Sequence, residues 1–236
     1  MNPPSVDCFK TLACALCLAL SGQALAAVSD LSLNAQLLAA ARKPDAAQVE
    51  RLLGLGAAAD SRNRLGKTPL LMACERGDLA LAGLLLDRGA SASLGSVAGV
   101  TPLMAASYAG QAALVKRLLA AGAAVDPLDR LHKPAIIYAA GQGHGEVVEA
   151  LLVSGVDVNA AYEHRLTALM WAAGQGHAEL VARLLARGAD RSLRDDRGLT
   201  ALDIAKGAGQ VKVVAVLEAA VAATPPSPTP AGSSPA

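Results

Sequence analysis

The sequence predicts an all-α solenoid, about six helix-turn-helix units stacked side by side with β-turn or hairpin fingers between them. Three observations carry this expectation. First, residues recur every 33 positions: Gly77, Gly110, Gly143, Gly176 and Gly209 in one register, Gly56, Gly89, Gly122, Gly155 and Gly188 in another. Leu52, Leu85, Leu118, Leu151, Leu184 and Leu217 form a third register, and Ala73, Ala106, Ala139, Ala172 and Ala205 a fourth. Second, hydrophobic residues make up 53% of the chain but aromatics only 2%, so the core has to be built from Ala, Leu and Val. Thin helices in close contact suit that composition, whereas a sheet calls for more aromatic and β-branched side chains. Third, the apolar runs are short and bounded by turn residues.

The stretch GKTPLLMACERGDLALAGLLLDRGA (66–90) shows one unit in full. Thr68 can cap a helix and Pro69 occupies its first position, where a missing N–H costs nothing. That helix is short and ends at Gly77, which can adopt the left-handed conformation. A second helix starts at once, carries Leu84, Leu85 and Leu86, and stops at Gly89. The polar connection from Gly89 to Thr101 has the length of a projecting turn. Alone, such a unit cannot bury its leucines; a stack of them can.

The two ends read differently. Lys10 precedes the apolar run TLACALCLAL (11–20), and SGQALA (21–26) places Ala24 and Ala26 at the −3 and −1 positions of a cut. Residues 1–26 are therefore expected to be a cleaved signal peptide, with an uncleaved N-terminal anchor in the inner membrane as the alternative. Removing them takes Cys8, Cys14 and Cys17 and leaves Cys74, which rules out an internal disulfide. The stretch VVAVLEAAVAA (213–223) is too short to span a bilayer and is interrupted by Glu218, so no membrane contact is expected after cleavage. TPPSPTPAGSSPA (224–236) reads as a disordered, extended tail containing a PxxP pattern. Lys plus Arg number 21 against 20 for Asp plus Glu, so no overall field draws the chain to nucleic acid.

With these residues in view the sequence resembles the ankyrin repeat family. The pattern appears as TPLLMAC (68–74), TPLMAAS (101–107), LTALMWAAGQGH (166–177) and LTALDIAKGAGQ (199–210), with LLVSGVDVNA (151–160) and LLARGAD (184–190) between them. The resemblance covers about residues 31–222: an N-terminal cap at 31–60, repeats at 63–93, 96–126, 129–159 and 162–192, and a C-terminal cap at 195–222. The first unit carries Pro44 in place of glycine, and the unit at 134 has Pro134 in place of threonine. The family's histidine after Thr-Pro-Leu is replaced by Leu71, Met104, Ile137, Met170 and Asp203, so packing is expected to stand in for its bonds between repeats.

Several stretches invite a chemical reading. AAGQGH occurs at 139–144 and again at 172–177, but lacks the G-x-G-x-x-G spacing and preceding strand of a phosphate loop. Its glycines mark the chain reversal, and His144 and His177 are expected to satisfy free N–H groups at the second helix's start. LGKT (65–68) would need a glycine at position 61, which is Ser61. The pairs His132 with His164 and His144 with His177 lack a dense set of further ligands, so no metal and no cofactor are expected. An enzyme, metal-dependent or hydrolytic, using the His144/His177 region is the alternative. Cys74 is expected to be a packed thiol, and Tyr138 with Trp171 a stacked pair in the core.

The resemblance implies that fingers and first helices bind a protein partner. Mapped onto this chain, that surface is Arg64, Lys67, Glu75 and Arg76, then Val97, Val100 and Tyr108, then Arg130, Lys133 and Gln142. It continues through Glu163, His164 and Gln175 to Asp196 and Arg197, beside Asp195. The fingers run from basic to acidic, which suits a partner with the opposite layout. The expectation is a monomeric, non-catalytic scaffold in a bacterial periplasm. There it would be accessory to, or a regulator of, another exported protein such as an enzyme, through the concave groove.

Overall fold

The computed structural model describes residues 33–43 and 45–222. The signal peptide read at 1–26, Pro44 and the tail at 224–236 lie outside the described residues. Among those described, all regular structure is helical. The helices pair as α1 (33–41) with α2 (Ala46–Gly54), α3 (Pro69–Arg76) with α4 (Leu79–Asp87), and α5 (Pro102–Tyr108) with α6 (Ala112–Ala120). Next come α7 (Ala135–Gln142) with α8 (Gly145–Val153), α9 (Ala168–Gly174) with α10 (Ala178–Ala186), and α11 (Ala201–Gly207) with α12 (Val211–Ala222). The first helices α3, α5, α7, α9 and α11 pack in sequence as an inner layer, and the second helices from α2 to α12 form an outer one.

The letters of each unit explain its elements. Thr68, Thr101, Thr167 and Thr200 each accept a hydrogen bond from the backbone N–H three residues on, at 3.1–3.3 Å. Such caps contribute about 1 kcal/mol each. Pro134 has no side chain to offer, and α7 starts without that bond. Gly77 and Gly143 end their helices at φ 75° and 76°, in the left-handed region that a Cβ disfavours. All six leucines of the period-33 column and all five alanines are buried. The alanines let inner helices approach closely, and each buried leucine contributes about 2 kcal/mol of transfer free energy.

Neighbouring repeats are also latched by hydrogen bonds, which corrects two expectations. His144 and His177 do not cap their own helices. Instead each Nε2–H donates to the preceding repeat: His144 to the Tyr108 carbonyl at 3.0 Å, His177 to the Gly141 carbonyl at 2.9 Å. A carbonyl can only accept, so Nε2 carries the proton. Gln210 makes the same bond to the Gly174 carbonyl at 3.2 Å, and Gln111 reaches the Cys74 carbonyl at 3.2 Å while accepting from Gly77 N–H at 3.0 Å. The bonds lost with the family histidine are therefore replaced by polar latches as well as packing. Helix C-termini leave carbonyls without partners, and these side chains supply them.

The latch also explains why its glycines cannot change. A Cβ on Gly110 would lie 2.5 Å from the His144 ring and one on Gly143 2.6 Å from the His177 ring. Gly188, at φ 85°, has open space where its Cβ would go. Urea unfolding should show Gly188→Ala costing about 1 kcal/mol from conformation alone and Gly143→Ala distinctly more. His177→Gln should stay within about 0.5 kcal/mol of the parent and His177→Ala should lose about 1 kcal/mol or more. Equal losses for Gln and Ala would remove the hydrogen bond from this account.

Candidate functional site

The fingers are built from one repeated device. Asn63 Oδ1 accepts from the N–H groups of Leu65 and Lys67 at 2.9 and 3.0 Å. Asp129 does the same for Leu131 and Lys133, and Asp195 for Arg197 and Leu199, at 2.8–2.9 Å. Short side chains of this type close a turn locally. Adjacent fingers are then joined through the backbone: Val97 N–H to Leu65 C=O, Arg130 N–H to Ala98 C=O, and Asp196 N–H to His164 C=O, at 2.9–3.1 Å. The corresponding bond from Glu163 to Leu131 is not formed. There the finger glycine of other repeats is replaced by His132 and Arg165, which together with His164 have φ of 50–59°. Strain of about 1 kcal/mol or more per residue is stored in this pair of fingers.

Burial and pairing sort the expected site residues into two groups. Arg64 and Arg130 are exposed fingertip cations without an ion pair among the described residues. Lys67 is held by Glu75 at 2.7 Å, so these two charges largely cancel. Arg76 turns away and donates to the Ala41 carbonyl at 2.5 Å, bracing the first unit. Lys133 lies over the Trp171 ring, 4.4 Å from its centroid. Asp195 is only 3% exposed and its other oxygen takes the Arg197 guanidinium at 2.7 and 2.9 Å. Burial pushes its carboxyl up, but the bonds from Leu199 and Arg197 outweigh that and hold it below the usual range. The basic run expected from the sequence thus reduces to Arg64 and Arg130. The acidic end consists of Glu163 and Asp196, with His132 3.7 Å from Glu163 and His164 3.7 Å from Asp196. Gln142 and Gln175 are exposed at the ends of α7 and α9.

An apolar patch interrupts the basic part, in the repeat between the Arg64 and Arg130 fingertips. Tyr108 is 55% exposed and Val97 56%. Tyr138 and Trp171 do not form the expected stack in the core; both are half-buried, and Tyr138 meets Tyr108 edge-on instead, centroids 6.0 Å apart at 82°. One repeat position carries both residues, but it faces the groove. The Tyr138 hydroxyl donates to Asp129. Burial, then that bond and the Asp129 charge, raise its pKa above the ordinary phenol value. Val100, Met104 and Ala105 join the two tyrosines around a hollow of about 300 Å³. Asp129, Tyr138 and Tyr162 were not among the expected site residues. The recurrence of Asn63, Asp129 and Asp195 at 66-residue intervals was the available signal for the first.

Among the described residues no group of three or more His, Cys, Asp or Glu side chains is placed to hold a metal ion. His144 and His177 serve the inter-repeat latch. No helix among them is long and apolar enough to cross a membrane.

A family model described as ankyrin repeats (3 copies) matches residues 37–130 and 136–223. The chain belongs to the ankyrin repeat family. Among solved structures, this ankyrin repeat chain is similar to the crystal structure of EF0377, an ankyrin repeat protein, at 30% identity and a TM-score of 0.72. That match covers 78% of the present chain and 97% of the other. The comparison with curated proteins gives no match. Ankyrin repeats are protein-interaction modules, and the surface described above is of the kind that holds a protein.

Cys74 of this ankyrin repeat chain is fully buried beside the groove wall, and burial, reinforced by Glu75, pushes its thiol up to about 12. An unfolded thiol ionises near 8.5–9. Below that both states are protonated and stability is constant. As pH rises further only the unfolded state gives up the proton, so stability falls, by about 1.4 kcal/mol per pH unit. Unfolding measured between about pH 8.5 and 10 should show this fall, and Cys74→Ala, the residue found at Ala140 and Ala173, should flatten it.

Proposed function

We propose that this protein is a non-catalytic scaffold that holds another exported protein in a bacterial periplasm, as an accessory to or regulator of an enzyme there. Tyr108 carries the reading. An aromatic side chain left 55% exposed beside an apolar hollow is the kind of anchor on which binding energy concentrates. Arg64 and Arg130 toward one end and Glu163 and Asp196 toward the other supply a charge layout that orients a partner. Export is supported by the apolar run at 11–20 and the small residues before Ala27, and a single remaining cysteine suits an oxidising compartment.

The test is cross-linked capture from the periplasmic fraction of the native host, with the parent chain and an Arg64→Glu/Tyr108→Ala/Arg130→Glu variant as baits. One dominant protein should be captured by the parent and lost with the variant, while the two baits melt within about 2 °C of each other, as exposed sites imply. An equal catch would move binding off the groove. Lys67 and Lys133 are left unchanged because their partners Glu75 and Trp171 would be disturbed with them. Intact-mass measurement of the exported chain should give a first residue of Ala27; a retained N-terminus would contradict cleavage.

A further inference from the structure

From Gly89 to Val115 no residue carries a charge, and this stretch contains the finger and the inner helix α5 of the third unit. Its fingertip, Val97, is 56% exposed. Val97 occupies the repeat position held by Arg64 one unit earlier and by Arg130 one unit later, each 33 residues away. An uncharged repeat is thus set between two cationic fingertips.

The hollow of about 300 Å³ in this unit is equally neutral. Val100, Met104, Tyr108 and Tyr138 line it, and the one carboxylate in its lining, Glu75, is held by Lys67 at 2.7 Å. Asp129, which accepts from the Tyr138 hydroxyl, also takes two N–H groups of its own finger. An ionised side chain entering the hollow would lose its water and meet no opposite charge, whereas a large apolar one loses nothing. Two rings at 82° with a methionine beside them suit an aromatic ring best, because rings favour edge-to-face partners and thioethers pack at ring edges.

The charges that such an anchor's neighbours meet are Arg64 and Arg130. Neither makes an ion pair among the described residues, while Arg62 is held by the Gly66 and Gly95 carbonyls and Lys133 lies on Trp171. Two repeat steps separate the fingertips, ~16–20 Å. About six residues of an extended chain cover that distance at ~3.3 Å each. Carboxylates about three residues to either side of the anchor then reach the two guanidinium groups, whose forked donors match a carboxylate's pair of oxygens.

We propose that the third unit is the docking site for an acidic segment of a partner protein. One large apolar side chain, aromatic by preference, seats in the hollow against Tyr108 and Tyr138, and Asp or Glu residues on both sides of it pair with Arg64 and Arg130. The proposal rests on the reading of the groove as a protein-binding surface and names the chemistry of what that surface takes.

The test is selection from a displayed library of random peptides, long enough to span both fingertips, on the immobilised full chain. The parent should enrich peptides in which Phe, Tyr, Trp or Leu is flanked on both sides by Asp or Glu. Arg64→Glu/Arg130→Glu should keep the apolar residue and exchange the flanking acids for Lys or Arg. A synthetic copy of the leading peptide should bind the parent saturably in titration calorimetry, and Tyr108→Ala should weaken it about tenfold or more. All three positions are exposed, so each variant should melt within about 2 °C of the parent. No enrichment, enriched peptides without an excess of acid, or the same peptides from the charge-reversed chain would overturn the proposal. A mass that doubles with concentration in the parent and stays single in Arg64→Glu/Arg130→Glu would overturn it in favour of a second copy, whose Glu163 and Asp196 fingers would supply the acid. The two readings fail separately. A periplasmic protein captured through the groove while selection yields no acid-flanked anchor sinks this inference alone; an acid-flanked anchor with no captured protein sinks the exported-partner reading and leaves the docking chemistry standing.

Discussion

A hairpin of two helices, α3 with eight residues and α4 with nine, has too little interior to hide its own leucines from water. The contact between one repeat and the next is therefore where the stability of this molecule resides, and the 33-residue period is the record of it. Leu85, Leu118, Leu151 and Leu184 are buried by neighbours on either side. Ala73, Ala106, Ala139 and Ala172 keep the inner helices close enough for that to happen. The latch from Gln111, His144, His177 and Gln210 adds direction to this packing, because each bond ends on a carbonyl in the preceding repeat. Its glycines serve twice, supplying the left-handed turn and leaving room for the latching side chain.

The fingers follow from the stack rather than contributing much to it. Once adjacent repeats are in register, their turns lie close enough for Val97 to bond Leu65 and Arg130 to bond Ala98. Asn63, Asp129 and Asp195 hold each turn in shape from within. The exception is the pair of fingers around His132 and His164, where three residues without glycine's freedom occupy left-handed conformations and the backbone link is missing. That pair borders the hollow lined by Tyr162 and Trp171. Strained backbone and half-buried aromatic rings coincide there, as strain often does where a fold gives up local stability to present a surface.

The surface that results is less polar than its list of charged residues suggests. Lys67 and Glu75 cancel, Lys133 lies on an indole ring, and Asp195 is spent on its own finger. Of the remaining charges, Arg64 and Arg130 flank the repeat that carries Tyr108, and Glu163 and Asp196 follow in the later fingers. Charges so placed orient an approaching partner, while desolvated aromatic area holds it. The chain has few aromatic residues, and none of the described ones is fully buried; Tyr138, Tyr162 and Trp171 pack against the edge of a core made largely of Ala, Leu and Val.

Repeat number, helix order and the residues of the core could be read from the letters, because stacking identical units imposes one chemical requirement at each position and shows it several times over. Thr68 and Gly77 announced their caps in the same way. Positions whose meaning depends on a neighbour 33–36 residues away could not be read so easily. His144 looked like a helix cap because its own helix begins there, yet its partner is the Tyr108 carbonyl one repeat back. Tyr138 and Trp171 looked like core because Met72 and Ile204 share their position, but ring size and the open groove turn them outward to meet Tyr108 and Lys133. Periodicity, a property of the chain, determined how the repeats stack. The side-chain pairing across repeats, a property of space, decided which charges and rings remain for a partner.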